Sequence, residues 1–200
     1  MINIAIFASG GGSNAQKIMA HFQGSEVGCV SLVVCNKKGA GVIQIAESFG
    51  VPVVTIDRQM FYETEQLLEI LKNYKIDFIA LAGFLWLAPA YLVRAYPRRI
   101  VNIHPALLPK FGGKGMYGHH VHEAVKAAGE IESGPTIHFV DEHYDEGDVI
   151  FQIACPLNAD DSPDEIARKV LALEHQYYPI IIEEQIKLID SNVSIGRLFD

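Results

Sequence analysis

Short apolar runs alternate with amphipathic segments along the first half of the chain. The apolar runs are rich in β-branched residues, as strands are, and they span residues 3–8, 29–35, 51–56, 77–82 and 100–104. Apolar residues at helical spacing predict helices after the glycine run near residue 13 and at residues 41–49, 61–74 and 89–95. Because strands covered on both faces are almost wholly apolar, this alternation predicts an α/β protein. We expect a Rossmann-like, open, twisted and mostly parallel sheet with helices on both faces.

The pattern changes after Pro135. Two further strands are predicted at residues 136–140 and 149–155, and the acidic loop DEHYDEGD joins them closely enough for antiparallel pairing. Ser162 and Glu165 then have the spacing of a capping box, at the start of a long helix that we expect to run to about Asp190. The sheet is therefore predicted to end in a C-terminal antiparallel strand pair.

Composition narrows the class of protein. The chain has 200 residues, 50% of them hydrophobic, and a mean hydropathy of +0.18, which suit one domain with a sizeable core. A net charge of −8 argues against nucleic acid as a partner, because such binding uses Lys and Arg at phosphates. No apolar run approaches the roughly 20 residues that span a bilayer, so no membrane partner is expected. The amino terminus lacks a basic signal-peptide region, and the 3 cysteines lie in or beside apolar runs, which favours reduced thiols and a cytoplasmic location.

Candidate chemistry centres on the sequence NIHPALLP at residues 102–109. Side chains two positions apart on a strand share a face, so Asn102 and His104 should converge where Pro105 ends the ladder. Open α/β sheets place ligands and catalytic groups at such strand ends. A satisfied structural pair of polar side chains under a loop is the alternative.

The sequence SGGGSN at residues 9–14 separates the first strand from the first helix. Glycines let the backbone approach a ligand, and the amides at the start of a helix attract an anion. The loop is therefore predicted to bind a phosphate. The loop lacks the GK[ST] of a Walker motif and matches the dinucleotide fingerprint only loosely. A tight turn without a ligand is the alternative.

Asp145 lies in the acidic loop between the two late strands. A carboxylate held near His104 would favour the imidazolium and raise its pKa, which suits an acid or an electrostatic catalyst near neutral pH. Acidic hairpin loops are more often solvated, and spacing alone does not bring the two residues together.

Further histidines carry weaker signals. His119, His120 and His122 could suggest a metal, but three close imidazoles without an assured fourth ligand more often mark a polar helix start. His138 is either a core residue or a pocket wall, and His175 on the long helix either binds a ligand or lies on the helix surface.

Six motifs in a fixed order give the chain a specific resemblance. They are GGGSN (10–14), AGF (82–84), NIHPALLP (102–109), GPTIHFV (134–140), DEGDVI (145–150) and EHQYYP (174–179). On these motifs, which span most of the chain, it resembles the phosphoribosylglycinamide formyltransferases, folate-dependent enzymes of purine synthesis. The resemblance implies a formyltransferase fold in a single domain over residues 1–200. Residues 1–100 would form the phosphate- and nucleotide-binding half, and residues 101–200 the catalytic and folate-binding half.

The resemblance also implies the reaction. An enzyme of this family transfers a formyl group from the cosubstrate 10-formyltetrahydrofolate to the amine of phosphoribosylglycinamide, and it uses no metal. The amine attacks directly through a tetrahedral carbon, so the site needs donors for an oxyanion and a route for the amine's proton. The catalytic trio implied here is Asn102, His104 and Asp145.

Binding residues follow from the same resemblance. Those implied for phosphoribosylglycinamide are Gly11, Gly12, Ser13, Asn14, Gly83, Pro105, Glu174 and His175. Those implied for folate are Arg58, Leu85, Trp86, Leu87, Ala88, Asn102, Val140 and Asp141. Trp86 stands where many family members have Arg, a departure that bears on the binding of folate glutamates. The glycine-rich run at residues 111–118 is either a mobile flap or a plain surface loop.

Other functions remain compatible with the sequence. A nucleotide-binding or regulatory domain could use the glycine loop without catalysis, with His104 in a structural role. A related enzyme could use the same trio on a sugar amine or on water. Both a monomer and a homodimer remain open.

Overall fold

Parallel strand pairing organises the amino-terminal part of the chain. The computed structural model describes residues 1–196, and its first compact unit comprises Met1–Phe84 with the stretch from Pro179 onward. In the order β3-β2-β1-β4, its parallel strands are β1 (Ile2–Ala8), β2 (Gly28–Cys35), β3 (Val53–Thr55) and β4 (Phe78–Leu81). The intervening helices are α1 (Ser13–Phe22), α2 (Gly41–Ser48), α3 (Arg58–Tyr62) and α4 (Gln66–Asn73). The strands β1 and β4 are almost entirely buried, as their apolar sequences predict.

The helix predicted over residues 61–74 is wrong in one respect, because the structure contains two helices, α3 and α4, in this region. Thr64 lies at the break. Its hydroxyl donates to the Met60 carbonyl at 3.1 Å and accepts from the Gln66 N–H at 3.3 Å. A threonine hydroxyl that bonds the backbone on both sides replaces helical hydrogen bonds and so separates the two helices.

Antiparallel pairing organises the second unit, Leu85–Tyr178. Its helices and strands are α5 (Ala90–Ala95), β5 (Ile100–His104), α6 (His119–Ala127), β6 (Glu132–Ser133), β7 (Thr136–Phe139), β8 (Val149–Gln152) and β9 (Cys155–Pro156). Strand β7 pairs with both β5 and β8, so the predicted antiparallel pair is confirmed. The register sets Asn102 opposite His138 and His104 opposite Thr136. The α/β class is likewise confirmed.

The strand predicted over residues 149–155 is wrong in its length. It divides into β8, which pairs with β7, and β9, which pairs with β6. A Cβ atom at Gly134 would lie 1.9 Å from the Ile153 carbonyl oxygen, so the chain changes partner where two backbones approach closely.

The long helix α7 (Pro163–Gly196) extends past the predicted end at Asp190. Its capping box is confirmed, because Glu165 Oε2 accepts from the Ser162 N–H at 2.8 Å and Ser162 Oγ accepts from the Glu165 N–H at 3.3 Å. The prediction of one domain over residues 1–200 stays a prediction, and residues 197–200 lie outside the described part. Within the described part, no helix is both long and apolar enough to cross a membrane.

Candidate active site

The three predicted catalytic side chains come together at the end of β5, in the second unit. Asn102 and His104 share one face of the strand, and Asp145 reaches them from the loop between β7 and β8. Asp145 Oδ2 lies 3.5 Å from His104 Nδ1, and Asp145 Oδ1 lies 3.5 Å from Asn102 Nδ2. The fold therefore brings Asp145 close to His104, which sequence spacing alone did not establish.

His138 is the site residue that the sequence left undecided. Its Nδ1 lies 2.8 Å from the Phe139 carbonyl, which can only accept, so Nδ1 carries the proton. Its Nε2 lies 3.1 Å from Asn102 Nδ2 and is then free to accept from the amide. His138 therefore fixes the orientation of Asn102, with the amide nitrogen rather than the oxygen turned toward Asp145. The sequence already placed His138 on the same strand face as Thr136. The structure adds that this position lies directly across from Asn102.

The imidazole of His104 lies between two acceptors. Its Nε2 is 2.7 Å from the Phe111 carbonyl oxygen and therefore donates, while its Nδ1 faces the Asp145 carboxylate. Only the imidazolium has an N–H for each acceptor. The ring is 3% exposed, so solvent cannot serve in place of these partners.

Residues 111–113, at the start of the glycine-rich run, pack directly on this pair. The Phe111 carbonyl contacts His104, and the Gly113 N–H donates to Asp145 Oδ2 at 2.9 Å. A Cβ at Gly112 would lie 2.5 Å from Leu108 Cδ2 and 3.4 Å from Asp145 Cβ, so Gly112 packs closely between these two side chains. The backbone of this part of the run therefore forms a wall of the site.

Both residues whose oxygens face the ring nitrogens of His104 have a left-handed backbone. Phe111 has a φ of 57° and Asp145 a φ of 59°. Such values are uncommon outside glycine, although Asp tolerates them better than most residues, and strained conformations of this kind concentrate at functional sites.

Burial and the neighbouring groups have opposite effects on the pKa of His104. Burial lowers this pKa, and it outweighs the opposing effects of the Asp145 charge and the Phe111 carbonyl. The Asp145 charge raises the pKa of His104, which is the predicted direction of its effect. Burial alone would raise the pKa of Asp145, but the neighbouring rings of His138 and His104 and the Gly113 N–H lower it overall.

A cavity of about 470 Å³ opens beside the carboxylate in the second unit. Its lining combines the segment after His104 with the acidic loop, and consists of Leu108, Pro109, Gly112, Gly113, Tyr144, Asp145, Glu146, Gly147 and Val149. Asp145 thus contacts His104 on one side and lines the cavity on the other. A ligand bound in the cavity could therefore contact the Asp145 carboxylate.

The predicted phosphate loop lies in the first unit. Gly12 is the N-cap of α1 with a φ of 84°, and it has no side chain with which to cap the first amides of the helix. A Cβ at Gly12 would lie 2.7 Å from the Val42 Cα, so the loop also packs tightly on the start of α2. The first unit also contains Gly83, whose carbonyl accepts from Ser9, and Arg58, the first residue of α3.

The remaining predicted binding residues lie in the second unit. Glu174 is 7% exposed on α7 and lies close enough to Tyr178 to contribute, after burial, to raising the pKa of that phenol. Leu85 is 49% exposed, Ala88 is buried, and the Asp141 carboxylate accepts from the His143 N–H at 2.8 Å. The others are half-buried: Trp86, Leu87, Pro105, Val140 and His175.

The three neighbouring histidines of α6 point in different directions. His119 faces Glu123 and Asp164 at 3.6 and 3.5 Å, and His120 contacts Glu123 at 3.2 Å, all near the surface. His122 is instead buried. Among residues 1–196, no group of three or more His, Cys, Asp or Glu side chains is arranged to hold a metal ion.

Comparisons with known proteins show which family the chain is similar to. The family model described as Formyl transferase matches residues 2–182. The chain is 45% identical to phosphoribosylglycinamide formyltransferase, chloroplastic, of Arabidopsis thaliana, over 96% of this chain and 69% of that protein. It is 34% identical to the phosphoribosylglycinamide formyltransferase of Bacillus subtilis, over 94% of this chain and 96% of that protein. The crystal structure of glycinamide ribonucleotide transformylase 1 from Geobacillus kaustophilus superposes with a TM-score of 0.84 at 35% identity, covering 93% of this chain and 99% of that one.

Proposed function

Because the chain belongs to the formyl transferase family, we propose that it transfers a formyl group from 10-formyltetrahydrofolate to the amine of 5′-phosphoribosylglycinamide. The products are formylglycinamide ribonucleotide and tetrahydrofolate, in de novo purine biosynthesis. The family resemblance inferred from the motifs is confirmed. The observation that carries the proposal is the contact of Asn102, His104 and Asp145 at one strand end, in a chain that spans nearly all of a bacterial relative with this name.

The reaction places defined demands on the site. The substrate amine attacks the formyl carbon, a tetrahedral centre with a negative oxygen forms, and the bond to the folate nitrogen then breaks. The attacking nitrogen loses a proton and the leaving nitrogen gains one. The protein must therefore supply hydrogen-bond donors to the oxyanion and a proton carrier between the two nitrogens, and it needs no covalent intermediate.

Asn102 suits the role of oxyanion donor. One of its amide hydrogens is held by His138 at 3.1 Å, whereas the contact of the amide with Asp145 at 3.5 Å is long for a hydrogen bond. The first contact keeps the amide oriented, and the second leaves an N–H that a substrate oxygen can take. The fixed orientation reduces the reorganisation needed when charge develops.

Asp145 suits the role of proton carrier, and His104 suits that of its electrostatic partner. Asp145 lines the cavity, whereas the two ring nitrogens of the buried His104 face the Phe111 carbonyl and the Asp145 carboxylate, so the imidazolium charge, when it arises, acts on that carboxylate. Asp145 also faces the cavity, where it can attract the positive charge that develops on the attacking amine.

Binding roles are proposed from the family resemblance. Residues 11–14 would bind the phosphate of the ribonucleotide, with Gly12 left bare for close approach. Gly83, Pro105, Glu174 and His175 would bind the rest of that substrate. The folate cosubstrate would use the predicted residues of segments 85–88 and 140–141 with Arg58 and Asn102, and the indole of Trp86 would form an apolar wall in place of a basic contact.

Two further features belong to the same proposal. The reaction needs no metal ion.

A cytoplasmic location is proposed because the free thiols of Cys29, Cys35 and Cys155 are typical of a reducing compartment.

A spectrophotometric assay of folate product formation tests the function. We expect activity with phosphoribosylglycinamide, and a fall in turnover of about 10²-fold or more in His104→Ala and Asp145→Asn. His120→Ala, an exposed histidine of the same unit, is the matched control and should retain wild-type turnover. Activity that survives in both site variants would overturn the mechanism, and product formed without the ribonucleotide would indicate hydrolysis instead.

A further inference from the structure

The segment that follows His104 is fixed by side chains from two other strands. Thr136, at the start of β7, donates from Oγ1 to the Ala106 carbonyl at 2.6 Å and accepts from the Leu108 N–H at 3.0 Å. Gln152, at the end of β8, donates from Nε2 to Thr136 Oγ1 at 2.8 Å and to the Leu108 carbonyl at 3.0 Å. Four hydrogen bonds thus tie residues 106–108 to the two strands.

These four bonds admit only one arrangement of donors. The Thr136 hydroxyl has a single hydrogen, which goes to Ala106, and it accepts twice, so its capacity is full. Both hydrogens of the Gln152 amide are then required, one for Thr136 and one for Leu108. A carboxylate or an apolar side chain at position 152 would remove the donors to Thr136 Oγ1 and to the Leu108 carbonyl.

Leu108 connects this network to the reacting groups. The space in which a Cβ at Gly112 would lie is filled by Leu108 Cδ2, so the loop at residues 111–113 rests on the Leu108 side chain. That loop supplies the Phe111 carbonyl to His104 and the Gly113 N–H to Asp145. A shift of Leu108 would therefore move both partners of the catalytic pair.

We propose that Gln152 is a positioning residue, which acts through Leu108 to set the places of His104 and Asp145. The effect of Gln152 on turnover rests on the proposed function, whereas the effect of Gln152 on the position of the His104 ring does not. Displacements of about 1 Å at a reacting centre typically cost on the order of 10²-fold in rate, and a partial shift transmitted through one side chain should cost less.

The test compares Gln152→Met, which keeps the length of the side chain and removes both donors, with Gln152→Glu, which keeps its shape and replaces the donors by acceptors. We expect kcat to fall roughly tenfold in each, with KM for the ribonucleotide within about twofold of wild type. Gln66→Met, at an exposed glutamine of α4, is the matched control and should leave both constants unchanged.

Histidine-labelled ¹⁵N NMR supplies a readout that general loss of stability would not move. The His104 ring signals should shift in both Gln152 variants, while those of the exposed His119 and His120 stay fixed. If His104 signals and kcat match wild type in a folded Gln152 variant, the proposal is overturned. Ring signals that shift in a chain whose wild type lacks the proposed transferase activity would support the positioning role and refute the proposed function.

Discussion

The Nδ1 atom of His104 lies 3.5 Å from Oδ2 of Asp145, with the ring buried and the carboxylate facing a cavity. Burial lowers the pKa of His104, and the Asp145 charge opposes that effect. In Asp145→Asn burial acts without this opposition, so the pKa of His104 should fall further. If the imidazolium supports turnover, the pH above which kcat declines should move to lower values.

A profile of kcat between about pH 5 and 8 measures this shift. Glu142→Gln removes a charge from an exposed position of the same loop and should leave the profile in place. A profile of Asp145→Asn that is lower in height but unmoved along the pH axis would contradict the coupling of the two groups.

Asn102 is predicted to act through its amide nitrogen. Asn102→Ala should lower kcat by about 10²–10³-fold, the usual cost of one lost oxyanion donor. Asn102→Asp should be at least as damaging, because a second carboxylate would then face Asp145 where the amide now lies 3.5 Å away. Steady-state kinetics of the two variants decide the point, and near-normal kcat in either would remove Asn102 from the mechanism.

Gly112 should tolerate no side chain. The new methyl group of Gly112→Ala would meet Leu108 Cδ2 at 2.5 Å and Asp145 Cβ at 3.4 Å, so either the Leu108 side chain or the loop must shift beside the catalytic pair. We expect a fall in kcat of roughly tenfold or more. Lys114→Ala, two positions along the same run, should have little effect. Equal kinetics for the two variants would indicate that the loop does not position the pair.

Histidine burial on α6 should make the protein less stable in mild acid. Burial, with help from the nearby His119 and His104, lowers the pKa of His122 to about 4 from 6.5. Between these values the unfolded chain binds a proton that the folded chain does not, so stability is lost as pH falls from 7 toward 4. At pH 5 the loss from this group is roughly 2 kcal/mol.

Urea unfolding at pH 7 and pH 5 measures that loss. The His122→Leu variant removes the titrating group, so its free energy of unfolding should decline by about 2 kcal/mol less than that of wild type. His120→Leu, at an exposed position of the same helix, should follow the wild-type decline. An identical decline in His122→Leu and wild type would contradict the assignment.

The glycine loop offers a test that separates backbone strain from steric conflict. Gly12 and Gly24 have similar left-handed φ values of 84° and 75°, but only at Gly12 would a Cβ meet another residue, Val42, at 2.7 Å. Gly24→Ala should cost about 1 kcal/mol of stability from strain alone, and Gly12→Ala should cost clearly more. Urea unfolding of both variants gives the comparison, and equal costs would show that the loop can move away from α2.

Local chemistry explains which parts of the fold the sequence predicts. The face shared by Asn102 and His104 follows from the two-residue period of a strand and from Pro105, and the capping box of α7 follows from Ser162 and Glu165. The break between α3 and α4 depends on the Thr64 hydroxyl, which bonds to the backbone on both sides. The spacing of apolar residues does not show whether such a hydroxyl bonds to the backbone or to solvent.

The site is harder to predict than the fold, because backbone groups as well as side chains contact the catalytic pair. The Phe111 carbonyl and the Gly113 N–H leave no trace in side-chain patterns, and Gly113 meets Asp145 across 32 residues of chain. The direction of the His104 pKa also required the structure, because it depends on how deeply the ring is buried. His138 could have been found from strand register, once its pairing with Asn102 was known.

The left-handed backbone at Phe111 and Asp145 bears on any transplantation of this pair to another scaffold. A carbonyl and a carboxylate reach opposite nitrogens of one imidazole because both residues turn the chain at φ values near +60°. A recipient scaffold with helical or extended backbone at either position would receive the same side chains and present only one of the two acceptors. The unit to transfer is therefore the pair of loops with their left-handed turns. Grafting His104 and Asp145 alone would transfer the side chains without the backbone conformation that places both acceptors on the imidazole.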